Sequence, residues 1–142
     1  LMIKPMVSCG TICAMHKDHQ LAALPFITAK DLHNHPLIMM GKGRTFTLRE
    51  ELQKAFHREG AFMNIKVETH TVSTSCTLAA NGIGIGPVNE LMGKRYQHLG
   101  LVCIPFRPEI RHDISFISSS QFPMSRATQA FLRHCQEYFR PE

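Results

Sequence analysis

Apolar residues fall in short blocks whose spacing switches between strand and helix periods. Met6 to Met15, rich in small and apolar residues, predicts a first strand, closed by the polar turn His16-Lys17-Asp18-His19. Ala29 to His33 fits a short helical turn. Leu37 to Met40 fits a buried strand ended by Gly41-Lys42-Gly43. Leu48, Leu52, Ala55 and Phe56 then recur at helical spacing. Thr47 and Glu50 form a T-x-x-E capping box at the start of that helix, Glu50 and Lys54 are spaced to pair, and Gly60 ends it.

The same alternation continues. Asn64 to Thr69 predicts a strand, and Val72, Cys76, Ala79, Ala80 and Ile83 mark the buried face of a second helix that stops at Asn81-Gly82. Ile83 to Val88 predicts a glycine-punctuated strand, Glu90 to Tyr96 a helix, Leu101 to Phe106 a buried strand and His112 to Ser118 another. Ser125 starts a last helix with Ala127, Phe131, Cys135, Tyr138 and Phe139 on its apolar face. Strands alternating with helices predict an α/β fold with a mostly parallel sheet. The Pro-rich step Pro105 to Pro108 is where the chain would cross between two lobes.

Composition narrows the classes. At 142 residues with 44% hydrophobic content, the chain can bury one substantial core. No apolar run approaches the roughly 18 residues of a membrane span. The start, LMIKPMVSCGTICAM, lacks a charged n-region and a small-residue cleavage site, so it does not read as a secretory signal. Position 1 is Leu, as expected of a piece of something longer. The net charge of +5 comes from 16 scattered Lys and Arg with acids between them, which argues against a nucleic-acid surface in this segment. Five cysteines, an odd number placed inside apolar segments, read as buried reduced thiols of a cytoplasmic protein.

Candidate chemistry centres on Val67 to Asn89. Thr69, Thr71, Ser73 and Ser75 crowd the start of the second helix, where free N–H groups and the helix dipole favour a small anion or carboxylate. One hydroxyl is needed as a cap; the others are available to a ligand. Gly41-Lys42-Gly43-Arg44-Thr45-Phe46-Thr47 leads into the preceding helix without P-loop spacing; it is either a turn with a cap or a second ligand contact. Gly82-x-Gly84-x-Gly86 lies at a helix end and inside a strand, so it reads as close backbone packing rather than a dinucleotide fingerprint. Of the nine histidines, the tightest groups, His16 with His19 and His33 with His35, read as solvated turn residues without metal-ligand spacing. Cys76 with His70 is the sole nucleophile–base pairing, and helical geometry buries Cys76, so no enzyme is expected.

These elements together resemble the C-terminal part of a LysR-type transcriptional regulator over nearly the whole sequence. The resemblance rests on Cys13-Ala14-Met15-His16-Lys17-Asp18-His19-Gln20-Leu21-Ala22, Ile27 to Leu32 and Pro36-Leu37-Ile38. It continues through Glu68-Thr69-His70, Cys76, Ala79, Gly82-Ile83-Gly84-Ile85, Val88-Asn89, Gly100-Leu101-Val102 and Pro105-Phe106-Arg107-Pro108. The Glu-Thr-His, Val-Asn and Phe-Arg-Pro pieces are similar to the subgroup that senses amino acids and opines.

The resemblance implies a two-lobed fold like type 2 periplasmic binding proteins. Residues 1–106 would form the second lobe, and 107–142 would return to the first. It further implies reversible effector binding by Thr45, Thr47, Thr69, Thr71 and Ser73, with Arg44 and Arg49 as anion contacts; Thr47 stands where the subgroup often has a basic residue. The implied partners are a small polar metabolite and further copies in a homodimer or homotetramer. DNA would be reached only through a winged helix-turn-helix outside this sequence, and no cofactor, metal or membrane is involved. A solute-binding protein of the same fold is the alternative.

Overall fold

The computed structural model describes residues 1–41 and 47–140, with Thr47 as backbone only. They divide into two compact units, Leu1–Cys9 with His112–Glu142, and Gly10–Arg111. The chain passes between these units at Gly10 and again after Arg111.

The smaller unit pairs β1 (Met2–Cys9) with β7 (His112–Ser118) in an antiparallel ribbon, with a register shift between Pro5 and Val7. Helix α4 (Arg126–Tyr138) follows, and the Ser125 side chain caps it by accepting from the Thr128 N–H at 3.1 Å, as its sequence predicts. The expected apolar face is corrected here. Phe131 and Tyr138 are 60% and 67% exposed, whereas Leu132 is buried. Phe131 meets only the Phe116 ring of β7 at 6.4 Å among the described ring contacts.

The larger unit holds β2 (Thr11–His16), β3 (Pro36–Met40), β4 (Asn64–Thr69), β5 (Gly86–Asn89) and β6 (Leu101–Pro105). The expected single strand from Met6 to Met15 is two strands, broken at the buried Gly10. β2 lies between β5 and β6, antiparallel to both, while β3 and β4 pair in parallel. One parallel bridge, Leu37 with Ile85, joins these sheets and gives the order β4, β3, β5, β2, β6. The sheet is therefore mixed rather than mostly parallel. β2, by which the chain enters the unit, runs against the strands on either side.

Both faces of this sheet are covered, which is why β2 and β3 read as continuous apolar runs. Cys13, Met15, Leu37 and Met39 point to one side, where α1 (Thr47–Arg58) contributes Leu52, Ala55 and Phe56. The segment between β2 and β3 adds Ile27, Ala29 and Leu32 there. Ile12, Ala14 and Ile38 point to the other side, against Cys76 and Ala79 of α2 (Val72–Ala80).

Helices α1 and α2 stop by the same device. Gly60 and Gly82 adopt φ of 62° and 72°, and the next residues, Ala61 and Ile83, donate N–H bonds back to Phe56 and Leu78 carbonyls. Lys54 pairs with Glu51 at 2.8 Å, not with the expected Glu50. The Thr47 side chain of the expected capping box lies outside the described residues. The expected helix over 90–96 is a short α3 (Glu90–Gly93) continued by a 3-10 turn over Lys94–Leu99.

The glycine run performs the close packing its context predicts. Ile85 donates its N–H to the Pro36 carbonyl at 2.9 Å, and Ile38 donates to the Ile85 carbonyl at 2.8 Å. A Cβ on Gly84 would lie 2.5 Å from the same Pro36 oxygen, and one on Gly86 would lie 2.5 Å from Ser75 Oγ. Ser75 Oγ is itself buried without a hydrogen-bond partner. Gly84→Ala is expected to cost about 1–3 kcal/mol, because backbone cannot yield as a side chain can. Ser75→Ala is expected to be neutral or stabilising by up to about 1 kcal/mol, since it removes an unsatisfied hydroxyl. Urea unfolding midpoints of the two variants check both signs.

Candidate functional site

The start of α2 is built by the extended end of β4. Thr69 closes the strand, His70 is exposed, and Thr71 remains extended at φ −134° and ψ 147° as the N-cap. Thr71 Oγ1 accepts the Thr74 N–H at 3.2 Å. The first intrahelical bond runs from Ser75 N–H to the Thr71 carbonyl, leaving the amides of Val72 and Ser73 ahead of it. No acidic residue occupies the first turn, so the positive end of the dipole keeps its field.

The hydroxyls divide by direction. Thr71 Oγ1 lies 3.0 Å from Ser73 Oγ and 2.9 Å from Thr74 Oγ1, forming one exposed cluster. Thr69 is only 5% exposed; its Oγ1 stands 3.7 Å from Met40 Sδ and 3.5 Å from the Thr71 carbonyl, either of which can accept its proton. Ser75 points inward at Gly86. The structure therefore brings Thr71 and Ser73 together, adds Thr74, and turns Thr69 into the protein. Thr74 could have been found as the residue three beyond the cap, where a capped amide belongs.

Arg49 occupies the first turn of α1 and is largely buried. Its guanidinium donates to Glu68 Oε1 at 2.9 Å, tying α1 to β4 one residue before Thr69. Arg49, expected to contact an anion, is thus engaged by a carboxylate of its own protein. Arg44 and Thr45 lie outside the described residues, as does the side chain of Thr47.

Cys76 is fully buried, and burial, reinforced by Cys103, pushes its thiol up to about 11. At neutral pH it stays protonated beneath α2, which removes the nucleophile from the Cys76–His70 pairing. Among the described residues, no group of three or more His, Cys, Asp or Glu could hold a metal ion, and no helix is long and apolar enough to cross a membrane.

Residues 3–140 match the LysR substrate binding domain. The chain belongs to that family. Among the relatives of this LysR domain is the transcriptional activator protein LysR of Escherichia coli (strain K12), 29% identical over 131 residues. That match covers 92% of this chain and 42% of the relative, so the chain spans about two fifths of that protein's length. Two solved structures share the fold. The effector binding domain of QuiR in complex with shikimate superposes at a TM-score of 0.76 with 16% identity, covering 98% of this chain and 65% of that one. The Synechocystis PCC6803 CcmR regulatory domain in complex with 2-PG gives a TM-score of 0.71 with 20% identity, covering 98% and 67%. The LysR domain has the type 2 periplasmic-binding-protein-like α/β fold.

Thr71 carries the cap whatever else it touches. Thr71→Ala is expected to lower stability by about 1 kcal/mol, and Thr71→Ser to leave it nearly unchanged. Thermal unfolding followed by circular dichroism measures the difference.

Proposed function

We propose that this chain is the effector-sensing part of a LysR-type DNA-binding transcriptional regulator. It binds a small polar, anionic metabolite at the start of α2 and releases it chemically unchanged. The carrying observation is the pairing of Thr71 and Ser73 hydroxyls, 3.0 Å apart, with a helix start that has no acid in its first turn. Uncapped amides of Val72 and Ser73 add donors there, and such a site favours a carboxylate or phosphate group. The complexes of QuiR with shikimate and CcmR with 2-PG support small-molecule binding as the mode.

The subgroup resemblance narrows the metabolite to amino acids and opines. In this reading the Gly10–Arg111 unit is the second lobe, and the other unit is part of the first. By the family resemblance, Thr45 and Thr47 contribute to the same site. The regulator is a cytoplasmic homodimer or homotetramer, and it reaches DNA through a winged helix-turn-helix outside this sequence. It performs no catalysis.

Calorimetric titration of the chain with a panel of free amino acids, opines and hydroxylated carboxylates tests this reading. One class is expected to bind. Ser73→Ala is expected to weaken that ligand by about 1–3 kcal/mol without the stability loss of a cap variant. Binding of that ligand by Ser73→Ala with the parent's affinity would remove the site.

A further inference from the structure

The segment joining β2 to β3 has almost no sheet of its own, yet it covers one face of the larger core with Leu21, Ala22, Leu24, Ile27, Ala29 and Leu32. It is tied down at its start and its middle by backbone bonds: Lys17 N–H to the Gly100 carbonyl at 3.1 Å, and Ile27 N–H to the Pro105 carbonyl at 2.8 Å. Between and beyond those ties, imidazoles take a repeated role. His16 Nδ1 accepts the Asp18 N–H at 3.1 Å, and His19 Nδ1 accepts the Leu21 N–H at 3.1 Å. His33 Nδ1 accepts the Phe62 N–H at 2.9 Å. The last bond is doubled by Asn34 N–H to the Phe62 carbonyl at 3.0 Å, clamping the end of the segment to the strand approach before β4.

A backbone amide can only donate, so each of these Nδ1 atoms must be bare, with the proton of the neutral ring on Nε2. An imidazolium carries hydrogens on both nitrogens. Protonation therefore sets donor against donor at three places along one segment.

We propose that residues 16–35 form an acid-labile cover over the core, held shut by His16, His19 and His33 as amide acceptors and released when these rings protonate. The groups around them mostly reinforce this. The His35 ring lies 5.4 Å from His19, with Gln20 Nε2 3.4 Å from His35 Nε2. Burial, then His35, then His16 hold the His19 imidazole below its ordinary 6.5. Because the folded value is the lower one, the stabilisation from His19 is complete above about 6.5. It is lost as the pH falls through that value toward the lowered one. At His16 the Asp18 carboxylate stands 3.8 Å from Nδ1, close enough to offer an acceptor to a hydrogen carried there. The cover accordingly depends most on His19 and His33.

Amide hydrogen exchange on the isotope-labelled full chain, at about pH 7.5 and about pH 5.5 after correction for intrinsic rates, reads the opening residue by residue. The amides of Leu21 and Phe62 are expected to lose protection by about tenfold or more in acid. Ala22 and Leu24, whose amides bond backbone carbonyls, should lose it with them, while β2 stays protected. In the double variant His19→Asn, His33→Asn, a side-chain oxygen takes over each of those two acceptors without titrating, and the acid loss of protection at Leu21 and Phe62 should disappear. Should that variant not fold, His33→Asn alone is read at the Phe62 amide. Equal protection of the parent at both pH values would overturn the proposal. So would an unchanged Ala22 and Leu24, or the same acid loss in the asparagine variants.

Discussion

Everything in the larger unit depends on how closely Ile83 to Gly86 approaches β3. The two backbone bonds between Ile85 and the Pro36–Ile38 stretch join the β3–β4 pair to the β5–β2–β6 sheet. Gly84 allows that contact because any side chain would strike the Pro36 oxygen. The same stretch receives α2 from its glycine stop, so the position of the helix C-terminus is fixed by the contact. A nine-residue helix is nearly rigid, and locating one end locates the other. The exposed cluster of Thr71, Ser73 and Thr74 is thus a distant consequence of a small residue at position 84.

That chain of dependence separates structural hydroxyls from available ones. Ser75 and Thr69 belong to the packing: one faces Gly86, and the other is turned toward Met40 and the backbone of Thr71. Thr71 caps the helix and also belongs to the exposed cluster, so in the proposed site its loss would confound folding with recognition. Ser73 is the cleaner reporter, since its hydroxyl touches the cluster without holding a helix amide. Arg49 behaves similarly to the buried hydroxyls in being engaged by its own protein, through Glu68. The electrostatic attraction at the start of α2 therefore comes chiefly from backbone amides and the dipole.

Much of this was legible from residue order. Helix stops at Gly60 and Gly82, the Ser125 cap, the strands over 37–40, 64–69 and 101–106, and the packing role of the glycine run all follow from local chemistry. Strand direction was not legible, because β2 is buried on both faces and its apolar run carries no sign of which neighbours it meets. The same continuity concealed the break at Gly10. Hydroxyl spacing placed four candidates at one helix start, but a helix turns by about 100° per residue, so alternate positions diverge. The outward-facing stripe of α4 reads as a buried face by periodicity alone, since periodicity finds an apolar side without saying what it contacts. The amide-accepting role of His16, His19 and His33 depends on backbone positions that only the fold supplies.

The most direct measurement is amide chemical-shift mapping of an identified effector on the isotope-labelled chain. The account predicts the largest changes at the N–H groups of Val72, Ser73 and Thr74, the three amides at the opening of α2. Changes confined to the unit formed by Leu1–Cys9 and His112–Glu142, with those three amides unmoved, would contradict it.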